Sequence, residues 1–213
     1  MTVWTIDAEP GSGGRAVARE LAHRAGVPLV DEQFTLALAL DLGTSVEAAR
    51  EYERAVPWLV RHALMVGMAA RPGPEMALEL RRLEDARQAV TRVVREAART
   101  PCVLFGRCAY ELLAAHPGAL HARIWAPLQW RIERAARNGC SSTAAARRRL
   151  IRAERDRLRA NRWLLRRRSP ETPVHVVCDA SRLSPFAIVE LLLAAGGREL
   201  ATEEPLALES VAP

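Results

Sequence analysis

Five residues, Gly11-Ser12-Gly13-Gly14-Arg15, stand between a short apolar run, Val3-Trp4-Thr5-Ile6, and a helix-like stretch. Strand, glycine turn and helix in that order let backbone N–H groups wrap an anion. Glycines permit close approach, and a helix N-terminus favours negative charge. Loops of this kind ordinarily add a lysine and a hydroxyl. Here Gly14, Arg15 and Ala16 follow Gly13, and the chain contains no lysine at all. The sequence therefore predicts a phosphate-binding loop with altered chemistry.

With 213 residues and 49% hydrophobic content the chain can bury a full core. The expected organisation is a single domain over 1–198, with a helical region over 32–99, an arginine-rich segment over 137–170 and a flexible acidic tail over 199–213. The longest apolar stretches, such as 187–195, are too short to span a bilayer, and no signal-peptide pattern opens the chain. Cytoplasmic location is the expectation. Cys102, Cys108, Cys140 and Cys178 form no C-x-x-C pair, so packing thiols are expected rather than a zinc site or disulfides. The five histidines lack the close spacing of metal ligands.

Short apolar segments alternate with helical patterns along the chain. Val3–Ile6, 28–31, Cys102–Phe105, His121–Trp125 and Val174–Cys178 read as strands. Helices are expected at Arg15–Ala25, Ala109–Ala115 and Pro185–Ala195, the last stopped by Gly196-Gly197. Within 32–99 the pattern is largely helical, and Trp58, His62, Met65 and Met68 fall at core spacing. Five such strands predict an α/β fold with a parallel sheet covered by helices on both faces. Ligands bind beyond the carboxyl ends of such strands, where Asp7, Asp31, Arg107, Ala126-Pro127 and Asp179 are placed.

Charge is concentrated. Between Arg147 and Arg168 eleven arginines oppose Glu154 and Asp156, a local balance of +9; subtracted from the chain's +6 it leaves about −3 elsewhere. One basic segment points to a local polyanion site: a nucleotide, or a nucleic acid, or else simply a solvated helix face. Aromatic groups for base stacking are sparse there, with Trp163 alone, which disfavours nucleic acid.

The blocks Glu9-Pro10-Gly11-Ser12-Gly13-Gly14-Arg15, Val30-Asp31-Glu32 and Val103-Leu104-Phe105-Gly106-Arg107 resemble the cytidylate kinase-like family of P-loop nucleoside monophosphate kinases. So do Ala126 to Arg134, reading APLQWRIER, and Val176 to Leu183, reading VVCDASRL. The resemblance spans roughly residues 3 to 195. It implies a three-layer P-loop fold with a five-stranded parallel sheet, a helical insertion covering the acceptor and an arginine-rich helical lid. It also implies ATP and Mg2+ as donor and metal, and a nucleoside monophosphate such as CMP, or a related small phosphorylated acceptor.

Phosphoryl transfer asks for positioning and for neutralising charge on the transferring group. Gly11, Ser12, Gly13, Gly14 and Arg15 are the expected donor-phosphate residues. Arg15 either supplies the missing cation or faces solvent on the first helical turn. By resemblance Arg131, Arg155 and Arg157 are lid arginines, in one of two registers. The first matches Glu154 and Arg157 to an acidic-x-x-Arg pattern; the second uses Arg155, Asp156 and Arg162. Arg107 is expected to hold the acceptor's phosphate or to pair with Asp7 or Asp31. Asp31 either orients the acceptor or caps the next helix. A nucleotide-binding relative with weak or no catalysis remains an alternative, because Ala8, Gly14 and Ala16 depart from the usual loop.

Overall fold

A computed structural model describes residues 2–49, 74–106, 108–139, 142–165 and 174–197. In chain order the elements are β1 (Val3–Ala8), α1 (Gly14–Ala25), β2 (Leu29–Val30), α2 (Glu32–Leu42), α3 (Pro74–Ala97) and β3 (Cys102–Phe105). There follow α4 (Ala109–Leu112), β4 (Ala119–Trp125), α5 (Leu128–Arg137), α6 (Thr143–Leu165), β5 (Val176–Asp179) and α7 (Pro185–Gly197). The sheet has the order β2-β3-β1-β4-β5, and every pairing is parallel. Parallel neighbours require crossovers, which the intervening helices supply. The α/β architecture expected from the alternating pattern is present.

β1 lies at the centre, with Val3 opposite Cys102 on one side and Ala119 on the other. Successive side chains alternate faces, so Val3 enters one core and Trp4 the other. The first core gathers Val3, Phe34, Leu38, Val94 and Leu104 beneath α2 and α3. The second gathers Trp4, Ile6, Val17, Leu21, Ile188 and Leu192 beneath α1 and α7. In α1 the buried Val17, Ala18, Leu21 and Ala22 repeat at helical spacing, which fixes the helix against the sheet and aims its N-terminus at the end of β1.

Several boundaries differ from the sequence expectation: β2 is shorter, β4 begins earlier at Ala119 and β5 is displaced to Val176–Asp179. β1 runs on through Asp7 and Ala8, because these pair with Arg123 and Ile124 of β4. The helix after β3 stops at Leu112. The last helix continues through Gly196-Gly197 instead of stopping there. Gly196 serves packing: a Cβ on it would lie 2.5 Å from Trp4 Cζ2.

α2 and α3 share a core, joined at its rim by an Arg92–Asp41 ion pair of 2.6 Å. Residues 50–73, with Trp58, His62, Met65 and Met68, lie outside the described residues, as do Arg107, Cys140, Arg166 to Arg168 and the expected tail. Cys102, Cys108 and Cys178 are buried free thiols. α6 rests on α5 through Ile132, Ala146 and Leu150. Among the described residues no helix is long and apolar enough to cross a membrane.

Candidate functional site

The loop between β1 and α1 owes its path to two glycines. Gly13 caps α1 with φ of 95°, a conformation that L side chains rarely adopt. Gly14 passes so close to β1 that a Cβ on it would collide with the Cβ of Ala8 and lie 3.4 Å from Phe105 Cε2. A lysine has no room at position 14. Ala16 and Val17 N–H already donate to Gly13 O, so it is the N–H groups ahead of them, at the very start of α1, that a helix N-terminus offers to an anion. Ser12 is buried, and its Oγ has no hydrogen-bond partner among the described residues.

Arg15 does not simply face solvent. Its Nε lies 2.9 Å from Asp31 Oδ2, and its Nη2 donates to Oδ1 at 3.2 Å. Asp31, at the end of β2, is almost fully buried and makes no side-chain cap to α2. Its carboxylate therefore engages the loop arginine instead of the helix it precedes. This two-point contact joins the first turn of α1 to β2 across the cleft.

Two arginines one turn apart on α5 take different places. Arg131, expected among the lid arginines, is buried behind the loop. Its Nε donates to Ala126 O at 2.9 Å, its Nη1 to Pro10 O at 3.1 Å, and its Nη2 sits 3.3 Å from Glu9 Oε2. Glu9 also accepts from Ala126 N–H. Arg131 thus clamps the loop to the start of α5. Arg134 instead reaches over the loop from the cleft side. Its Nη1 donates to Ser12 O at 2.9 Å, and its guanidinium carbon lies 5.4 Å from the centre of the Trp130 ring.

On α6, Arg157 turns into the cleft while Arg155 is exposed. Arg157 Nη1 donates to Asp7 Oδ1 and its Nη2 to Glu154 Oε1, both at 2.8 Å. Burial works against its charge, but the Glu154 hydrogen bond and the fields of both carboxylates hold its pKa above the ordinary guanidinium value. Arg123 approaches the other Asp7 oxygen at 3.4 Å and donates to Tyr110 Oη at 3.2 Å. This geometry groups Glu154 with Arg157, the first of the two lid registers, and leaves Arg155 and Arg162 on the exposed side.

These groups enclose a cleft of about 540 Å³ at the carboxyl end of β1. Gly11, Gly13 and Gly14 form its floor, and Asn138 and Asn161 stand on its α5 and α6 walls. Three carboxylates, Asp7, Glu9 and Asp31, and three arginines, Arg15, Arg134 and Arg157, line it. Arg134 and Arg123 carry no role in the sequence pattern, while Asp7 enters it as a strand-end carboxylate and Glu154 as the acidic member of one lid register. Arg134 had one available signal: it follows Arg131 by three residues, one turn along the same helix.

A glycine loop over the carboxyl end of the central strand of a five-stranded parallel sheet is the arrangement of the P-loop kinases. Within that class the chain belongs to the cytidylate kinase-like family, whose model matches residues 3–167. Comparison with curated proteins finds no significant match. Among solved structures, an uncharacterized protein from Eubacterium ventriosum aligns with 92% of this chain and 98% of its own, at 17% identity and a TM-score of 0.61. A shikimate kinase from Acinetobacter baumannii, in complex with shikimate, aligns with 93% of this chain and 94% of its own at 14% identity and a TM-score of 0.42. A deoxyadenosine kinase from M. mycoides aligns with 91% and 98% at 11% identity and 0.41. The likeness to the first of these, at 17% identity, concerns the fold alone. Family membership supports nucleotide kinase chemistry as the general class of activity.

Proposed function

We propose that this protein transfers the γ-phosphoryl group of ATP to a nucleoside monophosphate, CMP-like, or to a related small phosphate-bearing acceptor. The observation that carries this reading is convergence: arginines from α1, α5 and α6 meet the glycine loop in a single cleft. Such a set suits a polyanion. In the reaction the bond from γ-phosphorus to the β,γ-bridging oxygen breaks and leaves its electron pair on that oxygen. A new bond forms to an acceptor phosphate oxygen, which is already ionised and yields no proton. Backbone N–H groups of Gly11 to Arg15 hold the donor phosphates, and Arg15 and Arg157 balance charge from either side. In this reading Asp31 and Arg107 serve the acceptor. In this reading 137–170 is the lid, with Arg157 its working arginine and Arg155 outside the cleft, and residues 1–198 act as one domain.

Mg2+ is the metal this chemistry brings with the nucleotide. Among the described residues no cluster of three metal-ligating side chains exists, and Asp7 and Asp31 each already face an arginine. Mg2+ needs only one or two carboxylates when phosphates and water complete its shell. The residues therefore fit a metal carried mainly on nucleotide oxygens, one that supplies charge neutralisation there.

Calorimetry with ATP, followed by a turnover screen over nucleoside monophosphates and small phosphorylated metabolites, tests the proposal. ATP binding with transfer to one acceptor class is expected. Binding without turnover would instead support a nucleotide-binding relative with a regulatory role. The loop favours that second reading in one respect: its hydroxyl position holds Arg15, already engaged by Asp31. Salt-sensitive oligonucleotide binding without ATP binding would point to the exposed arginines of α6 as a nucleic-acid surface.

A further inference from the structure

We infer that Arg134 supplies, from α5, the phosphate-binding cation that a loop lysine ordinarily supplies from the position of Gly14. The inference rests on the reading of the cleft as a donor-phosphate site and names a residue that this reading leaves unassigned.

Three observations carry it. First, a lysine is sterically excluded from the loop, since the Ala8 methyl occupies the space into which a Cβ at 14 would project. Second, Arg134 occupies the ground above that loop. A Cβ on Gly13 would lie 2.9 Å from the Arg134 guanidinium carbon, so only a glycine at 13 lets the guanidinium lie against the backbone.

Third, its charge is uncompensated. Of the three cleft arginines, Arg15 faces Asp31 and Arg157 faces Asp7 and Glu154, while Glu9, the remaining cleft carboxylate, faces Arg131 from behind. Arg134 touches only a carbonyl oxygen and an aromatic face among the described residues. Both contacts orient the guanidinium and neither neutralises it. A half-buried cation held over the start of α1, with the cleft's carboxylates already engaged, is arranged to receive an anion. The ligand class that fits is a polyphosphate of two or more groups, because the loop can hold one phosphate while Arg134 reaches the next.

The roles of the two α5 arginines follow. Arg131 fixes the loop to the helix and is a positioning residue; Arg134 meets ligand. As the β,γ-bridging oxygen takes up the electron pair, a fork of donors at the loop neutralises it as a lysine would, with two hydrogen bonds available instead of one point charge.

The test uses the full chain and titrates ATP, ADP and AMP against wild type, Arg134→Ala and Arg134→Gln. The Gln variant keeps a donor for Ser12 O while removing the charge. Thermal melts establish that each variant is folded. Arg134→Gln is expected to weaken ATP by at least about tenfold, ADP by less and AMP hardly at all, as loss of one charge-assisted contact predicts. It also flattens the salt dependence of ATP binding. Unchanged ATP affinity, or an equal loss for all three nucleotides, overturns the assignment to Arg134 while ATP binding by wild type still upholds the donor site. Wild type that binds none of the three overturns the donor site itself, and the assignment with it.

Discussion

Two rungs of the same strand ladder handle buried polarity in opposite ways. Thr5 pairs with His121 between β1 and β4, and Asp7 pairs with Arg123 two residues further on, on the same face. At the first rung polarity is neutral and sealed. Thr5 Oγ1 meets His121 Nδ1 at 2.8 Å, and the His121 backbone N–H donates to His175 Nδ1 at 2.9 Å. The two imidazoles stack at 4.9 Å, and burial lowers the His121 pKa from 6.5 to about 4. At the second rung polarity is ionic and opens on a cleft, with Asp7 between Arg157 and Arg123. The difference lies in exchangeability. A hydrogen bond between neutral groups in a core has no better partner waiting, whereas an ion pair beside a cleft can trade one anion for another.

The sealed rung yields the largest expected effect. Because folded His121 titrates near 4 and an unfolded histidine near 6.5, the unfolded chain binds the extra proton between these values. Stability from this group is complete above pH 6.5 and is lost as pH falls toward 4, by roughly 3 kcal/mol in all. Urea denaturation at half-unit pH steps should show the slope, and His121→Gln should remove most of it. An unaltered slope in the variant would assign the acid sensitivity elsewhere.

The ionic rung should break less severely. Asp7→Asn leaves Arg157 with Glu154 alone and Arg123 without its carboxylate, at a cost of about 2 kcal/mol, less than for a fully buried pair because Arg157 is a quarter exposed. The same denaturation series, repeated with saturating ATP, should narrow the gap to wild type; a widened gap would mean that Asp7 itself holds the nucleotide.

Arg15→Ala tests the exchange at the cleft. Arg15 is more than half exposed, so its pair with Asp31 contributes under about 1 kcal/mol to folding. Its loss should nonetheless weaken triphosphate binding by about tenfold, as expected for one charge-assisted contact. Calorimetry showing equal effects for Arg15→Ala and Arg168→Ala would remove Arg15 from the site. The smallest effect belongs to Arg155→Ala. On the exposed side of α6 it should change stability by under about 0.5 kcal/mol and leave ATP affinity within twofold of wild type, a result any larger loss would contradict.

Much of this was legible along the chain because its signals are local. Apolar runs of four or five residues mark strands, a 3.6-residue period marks α1, and glycines mark the turn between them; each depends on neighbours close in sequence. Along the chain the two lid registers are indistinguishable for the same reason: Arg155 and Arg157 are two residues apart, and only the rotation of α6 about its axis puts one in the cleft and the other in solvent. Arg131 and Arg134 were likewise inseparable as members of one motif. Their division depends on where α5 meets the loop, 121 residues away in the chain between Pro10 and Arg131.

By itself the sequence determined that a glycine loop follows a first strand, that this loop has neither lysine nor the usual hydroxyl, and that the chain is an alternating α/β protein with its positive charge gathered near one helix. Those properties belong to composition and short-range pattern, and folding does not alter them. Only tertiary structure decided why the lysine is missing and what stands in its place, because both answers lie in distances between remote groups: a methyl on β1 against position 14, and a guanidinium from α5 lying over Gly13. Pairing decided the rest. Which arginines were spent on Asp31, Asp7 and Glu9, and which one kept its charge for a ligand, depends on approaches of about 3 Å that no local pattern encodes.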